Sequence, residues 1–94
     1  MEIPTSYLED LIQILEWRLQ TFHDPELPKD DFVILGERLI EILYQKKTDE
    51  IDQRYLNYLS HSVQTANTYA DECGVEKNKL EAIYDWIMPI YLNR

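Results

Sequence analysis

Apolar residues recur at three- and four-residue intervals in four separate stretches of this chain, and in no stretch do they alternate. Leu8, Leu11, Ile12, Leu15, Leu19 and Phe22 make the first series. Phe32, Leu35, Leu39, Ile42 and Leu43 make the second. Leu56, Leu59, Val63, Ala66, Ala70 and Cys73 make the third, and Leu80, Ile83, Tyr84 and Ile87 the fourth. This spacing lays the residues along one face of a helix, whereas a half-buried strand needs strict alternation. Helices are expected over about 6–23, 30–47, 48–73 and 75–88. The connections between them are short, so neighbours in sequence should run antiparallel. The expected fold is all-α, an antiparallel four-helix bundle forming one domain over residues 1–94.

The punctuation agrees with this division. Ser6 with Glu9 reads as a capping box, and Pro25 and Pro28 close the first helix. Asp30 or Asp31 opens the second against the positive end of its dipole, and Lys46 and Lys47 close it. Thr48 should cap the third, with Asp49, Glu50 and Asp52 in its first turn. Gly74 is a left-handed stop, and Pro89 should kink or end the fourth helix. Several apolar residues lie off the main faces: Tyr7, Ile14 and Trp17, then Val33, Ile40 and Tyr44, then Trp86 and Ile90. Helix two, apolar on two sides, should therefore be the central one. A solitary bundle needs one stripe per helix. The surplus suggests a homodimer or a docked partner, with Trp17, Ile40, Tyr44, Trp86 and Ile90 as the interface of the dimer.

Charge narrows the function. Eighteen acids against nine bases leave a net charge of −9, the wrong sign for gripping nucleic-acid phosphates over a wide surface. The acidity is uneven. Residues 1–28 hold six acids and one base, residues 48–74 five and one, and the other two segments are neutral. Such acidity can steer a basic partner. The opening Met1-Glu2-Ile3-Pro4 has no basic stretch ahead of an apolar one, so no secretory leader is expected. No run approaches the roughly 18 apolar residues of a spanning helix. A cytoplasmic protein, with no membrane partner and a reduced, buried Cys73, is the expectation.

Few residues offer catalytic chemistry. Two glycines exclude a Gly-rich phosphate loop, and one cysteine excludes a cysteine-based metal cluster. His23 with Asp24 and Glu26 is at most an incidental cation site. Ser60-His61-Ser62 tempts as nucleophile and base, but adjacent helical residues point apart. No cofactor, metal or catalytic residue is assigned, and the chain is read as a non-enzyme.

Ala70-x-x-x-Gly74-Val75-x-x-x-x-Leu80-x-x-Ile83 resembles the helix-turn-helix DNA-binding motif over about 20 residues. The resemblance implies a corner at residues 66–88 that turns at Gly74, with Lys77, Asn78 and Lys79 opening a recognition helix. Glu76, Glu81 and Asp85 lie on or near that helix, and no arginine on it is placed to read guanine.

The most informative feature is an absence. From Tyr55 to Ala70 there is no charged residue, in a chain that is 29% charged. At about 100° per residue, Tyr55, Tyr58, Ser62, Thr65 and Tyr69 share one flank of the helix. That flank either recognises a partner or packs on a neighbouring helix. As a recognition surface it would use Tyr55, Tyr58 and Tyr69 as anchors, with Ser62 beside them. Asp49, Glu50, Asp52, Asp71 and Glu72 would speed encounter with a basic protein. The leading expectation is thus a small acidic inhibitor or adaptor of a basic, nucleic-acid-handling protein. A DNA-binding regulator and a structural subunit of an oligomer are the two alternatives.

Overall fold

A computed structural model describes residues 2–21 and 29–93. Phe22, His23, Asp24, Pro25, Glu26 and Pro28 lie outside the described residues. Among those described, the chain forms four α-helices and no strand. They are α1 (Thr5–Thr21), α2 (Lys29–Tyr44), α3 (Gln53–Thr68) and α4 (Lys77–Leu92), with a 3-10 turn at Thr48–Glu50 ahead of α3. The radius of gyration is 12.1 Å, close to the roughly 12 Å expected of a packed chain of this length. None of these helices is long and apolar enough to cross a membrane.

The central helix is α3, not α2. It packs against α1, α2 and α4, while α2 and α4 make no comparable contact with each other. Leu56, Leu59 and Val63 of α3 are buried against Leu11, Ile14 and Leu15 of α1, Phe32, Leu39 and Leu43 of α2, and Leu80, Ile83 and Ile87 of α4. Each such side chain contributes about 1.5–3 kcal/mol by leaving water. Part of the apolar surplus is also absorbed internally. Ile14 is fully buried, and the Tyr7 and Trp86 rings meet with centroids 5.4 Å apart, joining α1 to α4.

Three boundaries differ from expectation. First, α1 begins at Thr5, so Ser6 lies inside the helix and the Pro4 carbonyl accepts from the Tyr7 N–H. Second, the expected 48–73 helix is broken at its start and shortened at its end. Ile51 is extended and buried, and Asp52, not Thr48, caps α3 by accepting from the Tyr55 N–H at 3.1 Å. α3 stops at Thr68, five residues before Cys73. Thr65 and Thr68 hydroxyls donate to carbonyls four residues back, and the Asn67 amide donates both to the Val63 carbonyl and across to the Leu80 carbonyl. These are weak helix formers whose side chains compete for backbone partners. Gly74 does adopt a left-handed conformation, φ +83°, but inside the connection. Third, α4 runs through Pro89 to Leu92. Pro89 and Asp85 are exposed, so the carbonyl that the proline leaves without a donor can turn to water.

The end of α2 carries a testable strain. The Lys47 N–H donates to the Ile42 carbonyl and the Lys46 N–H to the Leu43 carbonyl, the two bonds of a Schellman stop. That stop places Lys46 at φ +57°, where a Cβ crowds the backbone. Replacing Lys46 with Gly should therefore raise stability by about 1 kcal/mol, read as a higher urea midpoint at unchanged slope. An unchanged or lower midpoint would refute it.

Candidate interaction face

The flank of α3 expected to meet a partner faces the interior instead. Tyr55, Tyr58 and Ser62 are buried. Tyr58 and Ser62 meet Arg18 there, on the buried stripe of α1 one turn beyond Ile14 and only 4% exposed. Its Nη1 donates to the Tyr58 carbonyl at 3.2 Å and to Ser62 Oγ at 2.7 Å. Ser62 Oγ donates in turn to the Tyr58 carbonyl at 2.8 Å. The guanidinium carbon stands 4.9 Å from the Tyr58 ring centroid and 5.1 Å from that of Phe32. Tyr58 closes the cluster by donating its hydroxyl to the Phe32 carbonyl at 3.0 Å. Gly36 makes room for this. A Cβ there would lie 2.5 Å from the Tyr58 hydroxyl and 2.7 Å from Leu19 Cδ2. The cluster is architecture rather than a binding surface. Sequence reasoning missed Arg18, although its register with Leu11 and Ile14 was the available signal.

The same uncharged stretch has a second flank, and that one reaches the surface. Asn57, His61 and Gln64 are half-buried and Thr68 is exposed. Along this flank α4 supplies Tyr84, Met88 and Tyr91, all half-buried. Ser60 Oγ donates to Met88 Sδ at 3.7 Å, and the Gln64 amide donates to Ser60 Oγ at 3.2 Å. The His61 and Tyr91 rings meet edge-on at 6.1 Å. Gln64, Asn67, Thr68 and Tyr84 line a shallow cleft of about 300 Å³. The result is a seam of aromatic, thioether, amide and hydroxyl groups with no formal charge between the two helices.

The expected acidic patch is divided. Asp49, Glu50 and Asp52 are exposed at the start of α3, and Asp71 and Glu72 are exposed beyond its end. A 16-residue helix separates the two groups by about 24 Å. They bracket the uncharged seam rather than forming one cluster. The second group does gain company. Gln13 Nε2 donates to the Cys73 carbonyl at 3.0 Å, which ties the 69–76 connection to the α1 face carrying Glu9 and Glu16.

The remaining expected site residues scatter. Tyr69, just past α3, is 43% exposed and is the one expected anchor still at the surface. Trp17, Ile40, Trp86 and Ile90 are half-buried, and Trp86 is engaged by Tyr7 of the same chain. Tyr44 alone of the expected oligomer interface is well exposed, at 65%. Ile40 and Tyr44 sit on α2 and Trp86 and Ile90 on α4, two helices that make no comparable contact with each other. Lys77, Asn78 and Lys79 are exposed in the first turn of α4. The connection before them spans residues 69–76, however, and Ala70 lies outside both helices. A helix-turn-helix corner uses only about three or four residues. No protein-family model matches the chain, and neither a curated protein nor a solved structure matches it.

Proposed function

We propose that this protein is a non-enzymatic, cytoplasmic binding module, an antiparallel bundle that inhibits or adapts a basic protein partner of the nucleic-acid-handling kind. The uncharged α3–α4 seam carries this reading. In a chain with net charge −9, a strip of aromatic and adaptable polar groups flanked by carboxylates has the layout of an interface core with a charged rim. Tyrosines and Met88 supply contact area at low entropy cost, and amides and hydroxyls supply hydrogen bonds. The carboxylates at both ends of α3 attract a basic surface and set the salt dependence of encounter.

A photo-crosslinking residue at Thr68, compared with one at Gln20 on the exposed side of α1, tests this in the native cell. The expected result is capture of one basic protein from position 68 only. Thr68→Arg, at an exposed position lining the seam cleft, should weaken that complex at least about tenfold while leaving the melting temperature within about 2 °C. Equal capture from both positions would overturn the reading. So would tight duplex DNA binding that falls steeply with salt and is lost in Lys77→Glu with Lys79→Glu.

A further inference from the structure

The two banks of the α3–α4 seam are rows at helical spacing. On α3, Asn57, His61, Gln64 and Thr68 follow one another at intervals of four, three and four residues. On α4, Tyr84, Met88 and Tyr91 follow at four and three. Rows of this kind are the ridges between which a third helix seats its own. Ser60 meets Met88 toward one end of the seam, and Asn67 meets the Leu80 carbonyl toward the other. The α4 bank is edged by acid. Glu81 and Asp85 are exposed, one turn apart, and adjoin Tyr84 and Met88 at helical spacing. The exposed bases Arg54 and Lys77 stand at opposite ends of the seam. Arg54 holds its guanidinium over the Tyr55 ring, 5.4 Å from the centroid. Among the described residues, the carboxylates at each end of α3 outnumber the base beside them.

The geometry points to one amphipathic α-helix of a partner protein, basic along one edge, as the occupant of this groove. This rests on the reading of the seam as the partner-binding surface and names the form the partner takes there. An extended segment draws its affinity from main-chain bonds to a sheet edge, and among the described residues no strand offers one. A helix satisfies its own backbone and needs only side-chain contact. Its uncharged stripe, at positions i, i+3, i+4 and i+7, lies on the aromatic, thioether and amide groups of the seam. Lys or Arg beside that stripe faces Glu81 and Asp85, and this acidic edge sets which way round the helix is rotated.

Photo-crosslinking residues placed one at a time at Asn57, His61, Gln64 and Thr68 read the form of the occupant. Mass spectrometry locates the partner residue that each one captures, and helical circular dichroism checks that each variant is folded. Positions 57 and 68 lie about 16 Å apart along α3. A docked helix should give captured residues in order along one continuous segment, three or four apart at each step and about 11 in all. An extended segment would cover the same distance in about five residues, and a loop surface would give residues from unconnected segments. Either result would overturn the inference while keeping the seam as the binding surface. Glu81→Lys with Asp85→Lys should weaken the captured complex at least about tenfold, and unchanged binding would overturn the basic edge. Capture of no basic protein from any of the four positions would instead overturn the reading of the seam itself, and the inference with it.

Discussion

Arg18→Ala is expected to destabilise the protein by about 3–5 kcal/mol, the range for emptying a large buried position and severing its hydrogen bonds. The substitution removes both Nη1 bonds and the cation held between the Phe32 and Tyr58 rings. Domains of this length have total stabilities of about 5–14 kcal/mol, so about a fifth or more of the total is at stake. The melting temperature should fall by about 15 °C or more. Arg18→Met separates charge from volume. It refills most of the space, and Ser62 keeps its own bond to the Tyr58 carbonyl. Methionine should therefore recover at least half of the loss. A drop below about 1 kcal/mol in Arg18→Ala would show that the arginine lies outside the core in solution.

Tyr58→Ala is expected to cost about as much, 3–5 kcal/mol by the usual range for aromatic truncation. Its ring packs on Phe32 at 5.5 Å and under the Arg18 guanidinium, and its hydroxyl holds the Phe32 carbonyl. Tyr58→Phe deletes only that hydrogen bond and should cost about 1 kcal/mol. The two large losses should not add. Arg18 and Tyr58 share their contacts, so the double variant should fall short of the sum by about 1 kcal/mol or more. Strict additivity in chemical denaturation would show that the cluster does not act as a unit. A Tyr58→Ala protein that keeps its stability and loses a protein partner would return Tyr58 to the surface.

The lesson of α3 lies in its uncharged circumference. Its apolar residues Leu56, Leu59, Val63 and Ala66 mark a face, and the remainder of the helix from Tyr55 to Thr68 is uncharged all round. One part of it holds Tyr55, Tyr58 and Ser62, and another holds His61, Gln64 and Thr68. Nothing local distinguishes them, because tyrosine and serine serve as well inside a hydrogen-bonded core as on a recognition surface. The lack of charge was legible and points to a helix with neighbours on several sides. Which flank was covered depended on Arg18 of α1 and Phe32 of α2, 26 to 44 residues away in sequence. The same reasoning misplaced the central helix. Two apolar stripes on α2 suggested burial on both sides, yet the bundle leaves Tyr44 in solvent.

By itself the sequence determined that there are four helices, roughly where they lie, and where the charge is concentrated. Those properties follow from spacing and composition within a few turns of chain. Tertiary structure alone decided the break at Ile51, the passage of α4 through Pro89, the inward turn of the tyrosine flank and the division of the acids between the two ends of α3. Each of these depends on what a neighbouring helix or the solvent offers at that point. A buried residue such as Ile51 can be drawn from its helix by the core, and a proline on an exposed face can be excused by water.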